Sequence, residues 1–105
     1  MNAETKTRET IRELTEPAPP PFFAVVFLND DYTTMDFVVK VLIELFGKKP
    51  EEAAALMMKI HEEGRGTAGR YVFDIAATKA RQTKAMAQKE GYPLRVVVLK
   101  EDEGL

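Results

Sequence analysis

Between Met35 and Phe46 the apolar residues Met35, Val38, Val39, Leu42, Ile43 and Phe46 recur at intervals of three and four, and Gly47 closes the run. That spacing builds one apolar stripe along a helix, with a glycine supplying the left-handed stop. A helix so one-sided has to lay its stripe on a core made by the rest of the chain. With 105 residues, 45% of them hydrophobic and 30% charged, there is material for a single modest core and not for two.

The helix start is marked by Thr33 with Asp36 at the third following position, a capping box whose hydroxyl and carboxylate satisfy free N–H groups of the first turn. Upstream, "FFAVVFL" at 22–28 is β-branched and aromatic, and is bounded by prolines before it and by Asn29-Asp30-Asp31 after it; this suits a strand with at least one face buried. Downstream, Pro50 fits a first helical position and Glu51 and Glu52 complement the positive helix end. Ala53, Leu56, Met57 and Ile60 then carry a second helix to Gly64. "GRGTAGRYVFDI" reads as a glycine-rich bend leading into a short strand, residues 74–89 as an alanine-rich helix ending near Gly91, and "PLRVVVLK" as a last alternating strand. The order β-α-α-β-α-β predicts an α+β fold with three helices packed on one face of a small three-stranded antiparallel sheet.

Composition changes near residue 21. "MNAETKTRETIRELTEPAPPP" has Ile11 and Leu14 as its large aliphatics after Met1, mixes its charges and ends in prolines. It cannot repay its ordering entropy by burial, so residues 1–21 are expected to form a flexible N-terminal extension, and 22–105 the core domain. A net charge of −2 with well-mixed acids and bases gives no electrostatic drive toward nucleic acid or an anionic membrane. With no cysteine there are no disulfides, thiolate zinc sites or cysteine nucleophiles. No apolar run approaches the roughly 20 residues that span a bilayer, and the N-terminus has no signal-peptide apolar segment. A cytoplasmic monomer is the expectation.

The polar run Asn29-Asp30-Asp31 lies between an apolar strand and an apolar helix, where three short acceptor side chains are either a solvated turn or a site. Met57, Ile60 and His61, the only histidine, share one face of the second helix. On spacing alone His61 also fits a surface or capping residue, and Met57 and Met58 also fit plain core. Were Asn29, Asp30 and His61 brought together, an amide oxygen, a carboxylate and a neutral imidazole would form a tripod of acceptors for an ammonium group, which has three donors and no acceptor. Charge-assisted bonds of this kind contribute about 1.5–3 kcal/mol each. An adjoining pocket of Met35, Val38, Met57 and Ile60 would take a side chain on the carbon bearing that ammonium. The ligand described is the first residue of a polypeptide with a large hydrophobic side chain, at roughly micromolar affinity after association costs. If the imidazole accepts a hydrogen bond, its protonation as pH falls is expected to weaken binding.

Two other classes are open to the same residues. An enzyme would use Asp30, Asp31 and His61 as metal ligands or as an acid and a base. Catalytic metals usually need three protein ligands and a supporting second shell, no nucleophile arrangement is evident, and "EGRGTAG" lacks the lysine and following helix of a phosphate-binding loop. No enzymatic activity, cofactor or metal is expected. A scaffold or ribosome-associated module fits the same element order but leaves the tripod unexplained. N-terminal acetylation of a test peptide separates the readings, because only an ammonium site loses its ligand.

"LNDDYTTMDFVVKVL", "LMMKIHEEGRG", "IAATKA" and "YPLRV" occur in an order and spacing that resemble the ClpS family, the bacterial N-end rule adaptors of the ClpAP protease, across residues 22–101. The resemblance implies capture of proteins with an N-terminal Leu, Phe, Tyr or Trp and their delivery to a ClpA-type AAA+ unfoldase through that unfoldase's N-terminal domain. It places α-amino-group contacts on Asn29, Asp30 and His61, and pocket positions on Asp31, Thr33, Met35, Val38, Met57, Ile60 and Leu94. Met35 falls where the family guards its pocket against β-branched side chains. Tyr71, Asp74, Thr78 and Lys79 fall on the unfoldase-facing surface, and residues 1–21 on the extension that the unfoldase engages. Two positions depart from the pattern. Thr34 stands where many members have proline, and Ile60 where some have valine, a methylene worth about 1–3 kcal/mol in side-chain discrimination.

Overall fold

A computed structural model of the protein describes residues 19–101. Most of the expected N-terminal extension therefore lies outside the described residues. The elements are β1 (Phe22–Leu28), α1 (Met35–Glu44), α2 (Pro50–Glu63), β2 (Arg65–Val72), α3 (Phe73–Lys89) and β3 (Arg95–Lys100), the expected order. β1 is the middle strand of a three-stranded sheet, antiparallel to β2 on one side and β3 on the other. All three helices contribute to one core on one face of the sheet. Phe37, Val38, Val41 and Leu42 come from α1, Ala53 and Ile60 from α2, and Ala76, Ala80 and Ala87 from α3, packed with Val25 and Phe27 of β1.

β1 departs from simple alternation, because Ala24 and Val26 are buried as completely as Val25 and Phe27. This is why its sequence reads as a continuous apolar run. Val25, Phe27, Val41 and Leu42 are fully buried, and each contributes about 1.5–3 kcal/mol of transfer free energy. Between Val25 and Val26 the register with β2 slips from Gly69 to Thr67, so Ala68 is the extra residue of a β-bulge, with its side chain wholly buried. The buried hydroxyl of Thr83 is satisfied by the Lys79 carbonyl at 2.8 Å.

Three expectations need correction. The cap of α1 is Thr34, not Thr33: Thr34 Oγ1 accepts from the Phe37 N–H at 3.2 Å, while Thr33 is engaged with Asp30. The buried stripe of α1 is centred on Phe37, Val38, Val41 and Leu42, with Met35 and Ile43 exposed. Seven of the ten positions of this helix are apolar, enough that the contacts it makes, not its periodicity, choose the face. The glycine-rich stretch is not a bend but the strand β2 itself. A Cβ on Gly66 would sit 2.7 Å from Ile60 Cγ1, and one on Gly69 would sit 2.7 Å from Tyr71 Cε2, so these glycines let a helix and a ring approach the strand closely. Two further boundaries shift slightly: α3 begins at Phe73 and β3 at Arg95.

Candidate functional site

The segment 29–34 joins the end of β1 to the cap of α1, and two hydrogen bonds tie its start to the end of α2. The Asn29 backbone N–H donates to the Gly64 carbonyl at 2.8 Å, and Asn29 Nδ2 donates to the His61 carbonyl at 3.4 Å. Gly64 can present that carbonyl because it caps α2 in the left-handed region, at φ 91°. With its amide nitrogen turned to α2, Asn29 keeps its Oδ1 as an acceptor.

Asp30 organises the rest of the loop. Its Oδ1 accepts from the N–H groups of Tyr32 at 2.8 Å and Thr33 at 2.7 Å, and its Oδ2 accepts from Thr33 Oγ1 at 2.7 Å. Partial burial pushes this carboxyl upward, but the hydrogen bonds from Thr33 and Tyr32, helped by the charge of Arg95, outweigh it and hold the carboxyl below its ordinary range. Asp30 is thus held as an anion. Of its roughly four lone-pair sites three are taken, which leaves one on Oδ2 for a further donor.

Around these groups lies a cleft of about 440 Å³, within the range of roughly 300–1,000 Å³ typical of small-ligand sites. Its lining brings together nine of the ten expected contact and pocket residues. Asn29, Asp30, Asp31 and Thr33 come from the loop, Met35 and Val38 from α1, and Met57, Ile60 and His61 from α2. His61 is exposed at its edge, Ile60 is buried and Met57 half-buried. Leu94 is not among the lining residues; it is buried in the core and borders a separate hollow with Tyr92 and Gln88. Tyr32 and Thr34 also line the cleft and were not among the expected contact and pocket residues. Their position directly after the polar run, between it and Met35, was the available signal.

The residues expected to face an unfoldase form a second group on β2 and α3. Thr78 Oγ1 donates to the Asp74 carbonyl at 2.9 Å, and Lys79 Nζ lies 5.6 Å from the Tyr71 ring centre. The Lys79 ammonium also donates to the Leu45 carbonyl at 2.6 Å and lies 5.8 Å from the Phe46 ring centre, so it braces α3 against the end of α1. Burial raises the Tyr71 phenol above its ordinary pKa. Among the described residues no group of three or more His, Cys, Asp or Glu side chains could hold a metal ion, and no helix is long and apolar enough to cross a membrane.

Comparison with known proteins decides the family. The family described as "ATP-dependent Clp protease adaptor protein ClpS" matches residues 18–97. This chain belongs to the ClpS family. It is accordingly a non-catalytic adaptor of the Clp protease and not an enzyme. The ClpS adaptor of Wolinella succinogenes is 51% identical over 81 residues, covering 77% of this chain and 79% of that protein. The ClpS adaptor of Deinococcus radiodurans is 50% identical over 92 residues, covering 88% and 81% respectively. Among solved structures, Agrobacterium tumefaciens ClpS2 bound to L-phenylalaninamide superposes with a TM-score of 0.76 at 32% identity, covering 79% of this chain and 100% of that one.

Proposed function

We propose that the cleft captures the first residue of polypeptides that begin with Leu, Phe, Tyr or Trp, and that this adaptor delivers them to the AAA+ unfoldase of a ClpAP-type protease. The observation that carries this reading is the meeting, in one cleft, of acceptors on Asn29, Asp30 and His61 with apolar walls from Met35, Val38, Met57 and Ile60. An α-ammonium group fits the acceptors. Oδ2 of the ionised Asp30 supplies the opposite charge, and Asn29 Oδ1 and the imidazole of His61 supply neutral acceptors. The attached side chain enters between α1 and α2, with Met35 at the rim where the first branch of a β-branched residue would meet it. L-Phenylalaninamide, the ligand of the Agrobacterium relative, carries the same three parts: a free ammonium, a large apolar side chain and an amide where a peptide would continue.

Delivery is assigned to the face made by Tyr71, Asp74, Thr78 and Lys79, with the N-terminal domain of a ClpA-type unfoldase as partner, the extension 1–21 engaged during hand-over, and the cytoplasm as the setting. The test of the cleft is a fluorescence anisotropy titration of three labelled peptides that differ only at their start: free Leu, N-acetylated Leu and free Ile. Roughly micromolar binding of the first alone is expected. Equal binding of all three, or of none, would overturn the reading. Delivery is checked separately, by the acceleration of ClpAP degradation of a Leu-initiated substrate.

A further inference from the structure

One hydrogen bond at the cleft's edge takes no part in holding an ammonium. Thr34, which caps α1 by accepting from the Phe37 N–H, donates its own hydroxyl proton to the Tyr92 hydroxyl oxygen, 3.3 Å away. Tyr92 lies in the turn after α3. Its N–H donates to the Ala87 carbonyl at 2.8 Å, and its ring packs on Phe37 with centres 5.0 Å apart and planes inclined at 60°. A side-chain bond, a ring contact and a backbone bond thus fasten the first turn of α1 to the last turn of α3.

What that first turn carries is Met35. It is the first residue of α1, it lines the cleft, and 43% of its surface is exposed. A flexible thioether side chain so open to water is not held by packing, so its place over the cleft follows from where its backbone is held. We propose that Tyr92 is a positioning residue for side-chain selectivity: through Thr34 and Phe37 it fixes the backbone that presents Met35, and so sharpens discrimination against β-branched first residues. Tyr92 is not among the cleft's lining residues and need touch no ligand. The inference rests on the cleft being an N-terminal-residue site with Met35 at its rim.

The size of the effect follows from the geometry. An oxygen separation of 3.3 Å is longer than the usual O–H···O distance, so losing the hydroxyl alone should change selectivity only about threefold. A second route to the same rigidity is available. Thr34 has φ −71° and ψ 150°, inside the range a proline ring imposes, and its N–H has no acceptor among the described residues.

The experiment compares the full-length wild-type chain, Tyr92→Phe and the double variant Tyr92→Phe with Thr34→Pro. Each is titrated with free-Leu and free-Ile peptides, and the Met35 methyl relaxation is recorded by NMR without ligand. For Tyr92→Phe the expectation is Leu affinity within about twofold of wild type, a Leu-to-Ile ratio about threefold smaller and a more mobile Met35 methyl. The double variant should recover part of both the ratio and the methyl signal, because proline restores the backbone constraint while removing the Thr34 cap hydroxyl. An unchanged ratio, or an unchanged Met35 methyl relaxation, in Tyr92→Phe overturns the proposal. Should the wild-type chain bind neither peptide, the reading of the site fails on its own account; the methyl relaxation needs no ligand, and an unchanged value would still overturn the role assigned to Tyr92.

Discussion

The backbone N–H of Asn29 donates to the carbonyl of Gly64 at 2.8 Å, joining residues 35 positions apart where the end of β1 meets the end of α2. Asn29 and Asp30 belong to the first of these ends and His61 to the second. The acceptors for an ammonium group are therefore assembled by a main-chain bond, which side-chain substitution elsewhere in the cleft leaves intact. The bond continues the β1–β2 register one residue past Leu28 and Arg65, and Gly64 makes it while capping α2 at φ 91°, a region in which L side chains are strained.

Gly64→Ala should consequently destabilise the protein by about 1 kcal/mol and weaken binding of a free-Leu peptide. A Cβ there meets nothing within 4 Å, so the cost is conformational and not steric. Urea unfolding checks the first effect and anisotropy the second. A variant as stable as wild type, with unaltered affinity, would show that the Gly64 turn does not set the acceptors.

Element order was legible in the sequence because each element had a local signature. The stripe and Gly47 stop of α1, the Pro50 start and Gly64 stop of α2, and the polar run 29–31 between two apolar segments all lie within a few residues of what they specify. What was misread depended on contacts distant in sequence or on competition between neighbours. Thr33 and Thr34 are chemically equal candidates for the cap, and Thr34 takes the role because Asp30 engages both the N–H and the hydroxyl of Thr33. Gly66 and Gly69 looked like a bend because their reason for being glycine, the approach of Ile60 and Tyr71, is invisible in a local window. The convergence of Asn29, Asp30 and His61 is likewise tertiary; the residue types made it conceivable, and the family resemblance made it expected.

Gly66 offers a steric counterpart to Gly64. A Cβ on it would lie 2.7 Å from Ile60 Cγ1 and 3.2 Å from Leu56 Cδ1, against two side chains of α2, one of which is buried and lines the cleft. Gly66→Ala is expected to cost about 1–3 kcal/mol by overpacking, which at roughly 4–8 °C per kcal/mol is a readily measured fall in Tm. Displacement of Ile60 into the cleft should penalise Trp more than Leu at the first position. Calorimetry and a Trp-to-Leu affinity ratio check the two parts, and an unshifted Tm would contradict the close approach.

Asp30 predicts a pH dependence whose sign is fixed. Burial raises its carboxyl, yet the hydrogen bonds from Thr33 and Tyr32 and the charge of Arg95 bring it below the unfolded value of about 3.9. A group depressed on folding stabilises fully above its unfolded pKa and loses that contribution as pH falls through the folded one. Asp30→Asn should therefore be less stable than wild type at pH 7, by an amount that solvent screening keeps small, and the gap should narrow as pH falls below about 3.9. Urea titrations of both proteins from pH 7 to pH 2.5 measure it. A gap that stays constant across that range would mean the loop does not prefer the ionised form.

Lys79 was expected to face an unfoldase, and its ammonium already has partners within the chain. It donates to the Leu45 carbonyl at 2.6 Å, just past the C-terminal end of α1 where a cation opposes the helix dipole, and it lies within 6 Å of the Phe46 and Tyr71 ring centres. Lys79→Met keeps the aliphatic stem and removes the charge and the donor, and should destabilise by about 2 kcal/mol even with no partner present. Thr78→Ala removes only a hydroxyl bonded to its own helix, at the Asp74 carbonyl, and should leave stability within about 0.5 kcal/mol. Thermal unfolding of the two variants beside titration with an unfoldase N-terminal domain therefore separates bracing from docking. Equal stability of both, with binding lost only in Lys79→Met, would assign Lys79 to the partner; a lower Tm in Lys79→Met, with binding retained at a temperature where it is folded, would assign it to the fold.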